Sequence, residues 1–215
     1  MKESDVLIMT SVEAEKQAIE AGLGRNERFH VKLAGVGPVE AAVATALELS
    51  KGSYQYVLNM GIAGGFEERS SVGSIVIASR QILADLGVQT DEGFQKVESL
   101  GFGQSTLVPD QTYVDKLTRF GSHSNISMQV GEILTLSTVT GTAMRTIELK
   151  KQYPEAAAEA MEGFGVGLAA SKVGIPFMEV RAISNVVGPR DRDAWRIADA
   201  LQALKETTQY IAEVL

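Results

Sequence analysis

The stretch Tyr56-Val57-Leu58-Asn59-Met60-Gly61-Ile62-Ala63-Gly64-Gly65 is an apolar run of strand length that passes into a glycine-rich turn. An apolar run of this length bounded by a turn signal predicts a buried β-strand. The pattern recurs upstream. Residues 6–9 form an apolar run that meets Thr10-Ser11 and then Glu13, Glu15 and Lys16, predicting a strand and a helix capped by Thr10 or Ser11. Residues 29–34 predict a second strand, ending at Gly35-Val36-Gly37-Pro38 before an Ala-rich helix over 39–49. Pro38 suits the first helical turn, where its missing amide proton costs nothing.

Downstream, 73–79, 126–136 and 176–183 predict further strands, and 110–120, 142–152 and 192–214 predict helices. Strands alternating with helices point to an α/β fold, with a largely parallel central sheet and helices on its faces. Residues 82–109 are polar and lack a clear period, which predicts a long functional loop between strands. With 215 residues and neither repeat nor low-complexity segment, one domain over 1–215 is expected.

Composition removes several function classes. Twenty basic against 27 acidic side chains give a net charge of −7, which disfavours nucleic acid and anionic membrane as partners. The absence of cysteine excludes disulfides, thiolate metal sites and a cysteine nucleophile. His30 and His123 lie far apart, so no histidine metal site is expected. The amino terminus is too charged and short for a secretory signal, and no apolar run approaches the roughly 18 residues of a membrane span. A cytoplasmic location is the expectation.

Three glycine-rich turns follow apolar segments: Gly35-Val36-Gly37, Gly61 to Gly65, and Gly163-Phe164-Gly165. In open α/β sheets ligands sit at the carboxyl ends of strands, where glycine admits close backbone approach. Tight turns without a ligand would look the same. None matches the dinucleotide fingerprint, and no Walker-type Gly-Lys-Ser/Thr occurs. Glu13 and Glu15 either face a crevice or occupy a solvated first helical turn. Glu162, between an apolar segment and a glycine turn, either accepts from a sugar diol or is an exposed helix residue. Arg181 inside an apolar strand needs partners, because an unpaired buried guanidinium is costly. The run Gly188-Pro189-Arg190-Asp191-Arg192-Asp193-Ala194-Trp195 carries the sole tryptophan; a surface salt-bridge loop would account for its charges.

Four of these pieces, in order, resemble the purine nucleoside phosphorylase and nucleosidase superfamily over nearly the whole chain. They are Thr10 to Lys16, Asn59 to Gly65, Ala160-Met161-Glu162-Gly163 and Val180-Arg181-Ala182-Ile183-Ser184-Asn185. The resemblance is closest to the hydrolytic branch, which includes the methylthioadenosine/S-adenosylhomocysteine nucleosidases and the futalosine hydrolases. It implies a three-layer α/β/α fold around a mixed, partly closed sheet. It also implies that 156–161 is extended, although its alanines favour helix and would otherwise join it to the helix from Phe164.

Where adenine-specific members carry Ser-Asp, this chain has Ser184-Asn185. An asparagine amide can donate to a ring nitrogen or 6-oxo group but cannot transfer a proton, which suits hypoxanthine better than adenine. The run Ser-Asn-x-x-Gly-x-Arg-Asp-Arg-x-x-Trp, together with Ala84-Asp85-Leu86-Gly87, is similar to the futalosine hydrolases. A departure at Ile62, where nucleosidases often have Ser, puts contacts at that turn in doubt.

The resemblance implies hydrolysis of the N-glycosidic bond of futalosine to hypoxanthine and dehypoxanthine futalosine, in an alternative menaquinone route, without metal or organic cofactor. Glu15 would activate water, Met161 and Glu162 would hold the ribose, and Asn185, oriented by Ser184 or Arg181, would stabilise the departing purine. Ala63, Gly64, Val139 and Thr140 complete the expected substrate contacts. Arg190 or Arg192 would meet the substrate's aromatic carboxylate, unless both only brace their loop against Asp191 and Asp193. Relatives are homo-oligomers, commonly dimers, with 82–109 the candidate for completing a neighbour's pocket. The rival readings are an adenine nucleosidase, a phosphorylase, and a non-catalytic nucleoside-binding protein.

Overall fold

The computed structural model describes residues 5–121 and 126–215; the amino-terminal Met1 to Ser4 and His123 lie outside them. Its frame is a mixed sheet. Strands β1 (Val6–Thr10), β2 (Phe29–Leu33) and β3 (Tyr56–Gly65) are parallel, with β1 in the middle. Strand β3 also pairs in parallel with β10 (Phe177–Val186) and antiparallel with β9 (Ala156–Ala160). From β10 the sheet continues through β4 (Ile75–Leu83) and β8 (Met128–Thr135) back to β9. Five strands therefore close a ring on β3, while β1 and β2 extend from it as an open wing. This is the mixed, partly closed α/β sheet that the resemblance implies.

Helices α1 (Glu13–Leu23), α3 (Gln111–Gly121) and α6 (Ile197–Val214) cover one face, burying Ile19, Val114, Leu117, Leu204 and Ile211 against Ile8, Leu58 and Ile77. Helices α2 (Pro38–Lys51) and α5 (Gly163–Lys172) cover the other, with Ala41, Phe164 and Val166 against Leu7, Met9 and Val57. Helix α4 (Ala143–Gln152) closes a smaller cluster through Leu149. Among the described residues, no helix is long and apolar enough to cross a membrane.

The extended state of 156–160 has a packing cause. Ala157, Ala158 and Ala160 join Ala63, Ala78, Val76, Ile133 and Ile183 in one buried cluster where side chains are mostly small. The approach is so close that a Cβ on Gly131 would lie 2.5 Å from that of Ala157. The backbone of β9 is bonded on both sides, by β8 and β3, and these pairings override the alanine preference for helix.

Several expectations need correction. Gly61 to Gly65 is not a turn but the second half of β3, and Gly163-Phe164-Gly165 is the first turn of α5. Helix α1 is capped at Val12 rather than by a hydroxyl of Thr10 or Ser11, because Glu15 reaches back to the free amides. The 82–109 stretch is not a plain loop: β4 runs on to Leu83, a hairpin of β5 (Gly87–Thr90) and β6 (Gly93–Lys96) follows, then a 3₁₀ turn (Val97–Leu100) and β7 (Thr106–Leu107). The last helix starts at Ile197, not residue 192.

Candidate active site

The ends of β1, β3, β9 and β10 surround a cavity of about 230 Å³. Its wall includes Glu15, Ala63, Gly64, Val139, Thr140, Met161, Glu162, Ser184, Asn185 and Arg190, so ten of the twelve residues expected from sequence converge there. The other two, Arg181 and Arg192, do not line it.

Glu15 is 3% exposed, at the start of α1. Its Oε2 accepts from Thr10 Oγ1 (3.0 Å), the Ser11 amide (3.0 Å) and the Val12 amide (3.1 Å), and its Oε1 accepts from the Ile62 amide (2.8 Å). Four donors fix the carboxylate. Since an ionised carboxylate offers about four lone-pair sites shared by two oxygens, the spare capacity lies on Oε1. The doubt over Ile62 resolves simply: it contributes its backbone amide, so its side chain need not be polar.

Arg181 is buried behind this cavity, 1% exposed. Its Nε donates to Glu179 Oε1 at 2.9 Å, its Nη2 to Asn59 Oδ1, and its Nη1 to the Ile62 carbonyl at 3.4 Å. Nη2 also lies 3.3 Å from Glu162 Oε2. Burial acts to lower the Arg181 pKa, but Glu179, Glu162 and Glu15 outweigh it and hold it above its ordinary value. Removing one member of such a buried pair leaves an uncompensated charge, typically costing about 3–5 kcal/mol.

Glu162, 4% exposed, is fixed from both sides, because its Oε1 accepts from the Gly37 amide at 3.3 Å. Gly37 has φ +93°, a conformation that glycine adopts without steric cost. Asn59 in turn anchors its Nδ2 on the Met9 carbonyl at 3.0 Å, tying the arginine to β1. Glycines make room for the network. A Cβ at Gly61 would sit 2.7 Å from both Arg181 Nη1 and Glu15 Oε1, and one at Gly163 would sit 2.1 Å from Glu179 Oε2.

Ser184 and Asn185 are adjacent in β10 yet both face the cavity, although successive strand side chains normally point to opposite faces. The register of β10 against β3 shifts between Ile183 and Asn185, and such a bulge re-aims a side chain. Ser184 Oγ lies 2.8 Å from Asn185 Oδ1, to which it donates, and 3.2 Å from the Ala63 carbonyl. Asn185 Nδ2 donates to the Val186 carbonyl at 3.0 Å. Ser184, not Arg181, is thus the group that contacts Asn185.

At the outer rim Arg190 lies over the Trp195 ring, 5.8 Å from its centroid. Among the described residues neither Arg190 nor Arg192 forms an ion pair with Asp191 or Asp193; Asp191 accepts from the Asp193 amide.

The wall also carries a buried acid that is not among the site residues expected from sequence. Glu159 on β9 is 6% exposed and accepts from the Thr140 amide at 2.8 Å and from the Thr140 hydroxyl. Burial pushes its carboxyl above the usual carboxylate range, against those two bonds and the charge of Arg145. An acid within an otherwise all-alanine strand was the available signal.

Residues 12–215 match the family model of the phosphorylase superfamily. The chain belongs to that superfamily. It is 46% identical over 187 residues to a futalosine hydrolase of Streptomyces coelicolor, covering 85% of this chain and 77% of that one. It is 40% identical over 212 residues to a futalosine hydrolase of Acidothermus cellulolyticus, covering 93% and 86%. The solved futalosine hydrolase of Helicobacter pylori has the same fold, with a TM-score of 0.86 at 16% identity and coverage of 99% and 98%. The superfamily membership agrees with the closed sheet and with a cavity at its strand ends.

Proposed function

We propose that this chain hydrolyses the N-glycosidic bond of futalosine, releasing hypoxanthine and dehypoxanthine futalosine for menaquinone synthesis. The observation that carries the reading is the convergence of Glu15, Glu162 and Asn185 on one cavity, and the two futalosine hydrolase relatives support it.

Cleavage of such a bond passes through a cationic, oxocarbenium-like sugar while the base gains negative charge. The free lone pair on Glu15 Oε1 accepts a proton from water as that water attacks the anomeric carbon, a general-base role. Glu162, held by Arg181 and the Gly37 amide, accepts from the ribose hydroxyls beside Met161. Three carboxylates, Glu15, Glu162 and Glu179, surround the single guanidinium of Arg181, leaving a net negative field for the sugar cation. An asparagine amide has two protons. One from Asn185 is used on Val186, and the second donates to the departing 6-oxopurine.

Water rather than phosphate is the acceptor in this reading. The cavity wall carries Glu15, Glu159 and Glu162 against Arg190 at the rim, an unfavourable setting for a dianion. The Gly37 amide, which the first glycine turn would offer to an anion, is taken by Glu162. Purified protein in phosphate-free buffer, given futalosine, inosine, methylthioadenosine and S-adenosylhomocysteine, is expected to release hypoxanthine from futalosine at a rate that added phosphate leaves unchanged. Adenine release from the last two, or a phosphate requirement, would refute the assignment.

Arg190 is the proposed partner of the substrate's aromatic carboxylate, since it lines the cavity while Arg192 lies outside. Arg190→Ala should raise KM for futalosine about ten-fold, the size of a lost charged hydrogen bond, and Arg192→Ala should not. Equal effects of the two substitutions would reject this role.

The assembly we infer is a homodimer. Val39, Val43 and Leu47 are 77%, 54% and 55% exposed and recur at four-residue spacing, an apolar stripe along the outer face of α2. No residue of 82–109 lines the cavity of its own chain, which leaves that segment available to a neighbour's. Light scattering should give twice the chain mass, falling to one chain mass for Val43→Glu; a wild-type monomer would dismiss the dimer.

A further inference from the structure

Glu159 takes no part in the catalytic steps described above, yet it is a nearly buried acid on the wall of the cavity. Its place in the sheet is informative. Gly64 of β3 pairs with Glu159 of β9 on one side and with Asn185 of β10 on the other. The two polar side chains therefore stand on one rung of the sheet, separated by a glycine. Two strand spacings put their Cα atoms roughly 9.6 Å apart. A Cβ on Gly64 would meet Val187 Cγ2 at 2.9 Å and Asn185 Nδ2 at 3.3 Å, so only a glycine lets the amide lie this close over β3 at the cavity wall. Gly64, Asn185 and Glu159 all line the cavity, so a flat bicyclic base held in it between the two polar side chains would turn one edge toward Asn185 and the other toward Glu159.

The polar character of the second edge follows from Thr140. Its amide and its hydroxyl both donate to Glu159, one to each carboxylate oxygen. The local backbone N–H is thereby consumed, and each oxygen keeps a free lone pair. Among the described residues no cation forms an ion pair with Glu159; Arg145 acts on it only at a distance. What faces the cavity here is an acceptor seeking a donor.

We propose that Glu159 reads the six-membered edge of the purine, its carboxylate accepting the N1–H of a 6-oxopurine and disfavouring the bare N1 of a 6-aminopurine. This rests on the nucleosidase reading above and deepens it. Asn185 and Glu159 then divide recognition between the imidazole and pyrimidine ends of one base. The bound N1–H supplies a donor to a carboxylate whose burial otherwise works against its charge.

Glu159→Gln changes the pattern without changing the shape. The Thr140 amide can still donate to Oε1, and the Thr140 hydroxyl can turn to accept from Nε2. The remaining amide proton then points at the base and suits the N1 of adenine. Dissociation constants of hypoxanthine and adenine, measured by titration calorimetry on wild type and variant, test this directly. The wild type should prefer hypoxanthine, and the variant should lose about ten- to a hundred-fold of that preference, the cost of replacing a charged acceptor by a mismatched donor.

Glu159→Asp, which withdraws the charge by one methylene, should weaken hypoxanthine in the same direction and stands in if the glutamine variant does not fold. An unchanged hypoxanthine-to-adenine ratio in the folded variant overturns the proposal, even if futalosine is hydrolysed. Conversely, a shifted ratio in a protein that leaves futalosine intact upholds base reading by Glu159 and removes only the assigned reaction.

Discussion

The buried guanidinium of Arg181 is the interaction on which the site depends. It sits at the meeting of β3 and β10 and bonds Glu179 and Asn59 while pairing with Glu162. A lone cation there would be prohibitively costly, and so would the two buried carboxylates without it. The network is stable only when complete. Its completeness fixes Glu162 at the cavity wall, and Glu15 meets the same arginine across the space left by Gly61. Charge compensation inside the sheet thus becomes preorganisation at its edge, where fixed dipoles and charges stabilise a transition state without rearranging.

The closed part of the sheet supplies the rest. Because β3 is shared by β1, β9 and β10, its carboxyl end brings three neighbouring strands to one point. The opening of α1 delivers Glu15 there, β9 delivers Glu159 and leads to Met161-Glu162, and the bulge in β10 turns Ser184 and Asn185 together toward the cavity. The ring is narrow, which requires small side chains such as Ala157 and Ala158 and the absence of one at Gly131. Composition that looks helical is thereby explained by the space available.

The alternation of strands and helices was legible in the sequence, because apolar runs, glycine stops and Pro38 are local signals. Most of the candidate site's lining was legible too, through motif order rather than through any single residue. What sequence could not convey was the consequence of strand closure. Gly61 to Gly65 has the composition of a turn but continues β3, since its partners on β9 and β10 are distant in the chain. The β10 bulge leaves no mark in Ile183-Ser184-Asn185. Glu159 stands in a stretch whose alanines favour helix, and its facing partner, Thr140, lies 19 residues away. Arg181 was recognised as needing partners, but its position behind the cavity rather than on its wall required the coordinates.

The central claim is that Glu15, fixed by four donors at the cavity wall, acts as the base that activates water. The most direct measurement is the steady-state hydrolysis of futalosine by Glu15→Gln, a substitution that preserves shape and removes basicity. The account predicts a fall in kcat of about 10²- to 10⁴-fold, the usual contribution of general acid–base catalysis, with KM little changed. A variant whose kcat stays within a few-fold of wild type would contradict it, because the water would then be activated by some other group.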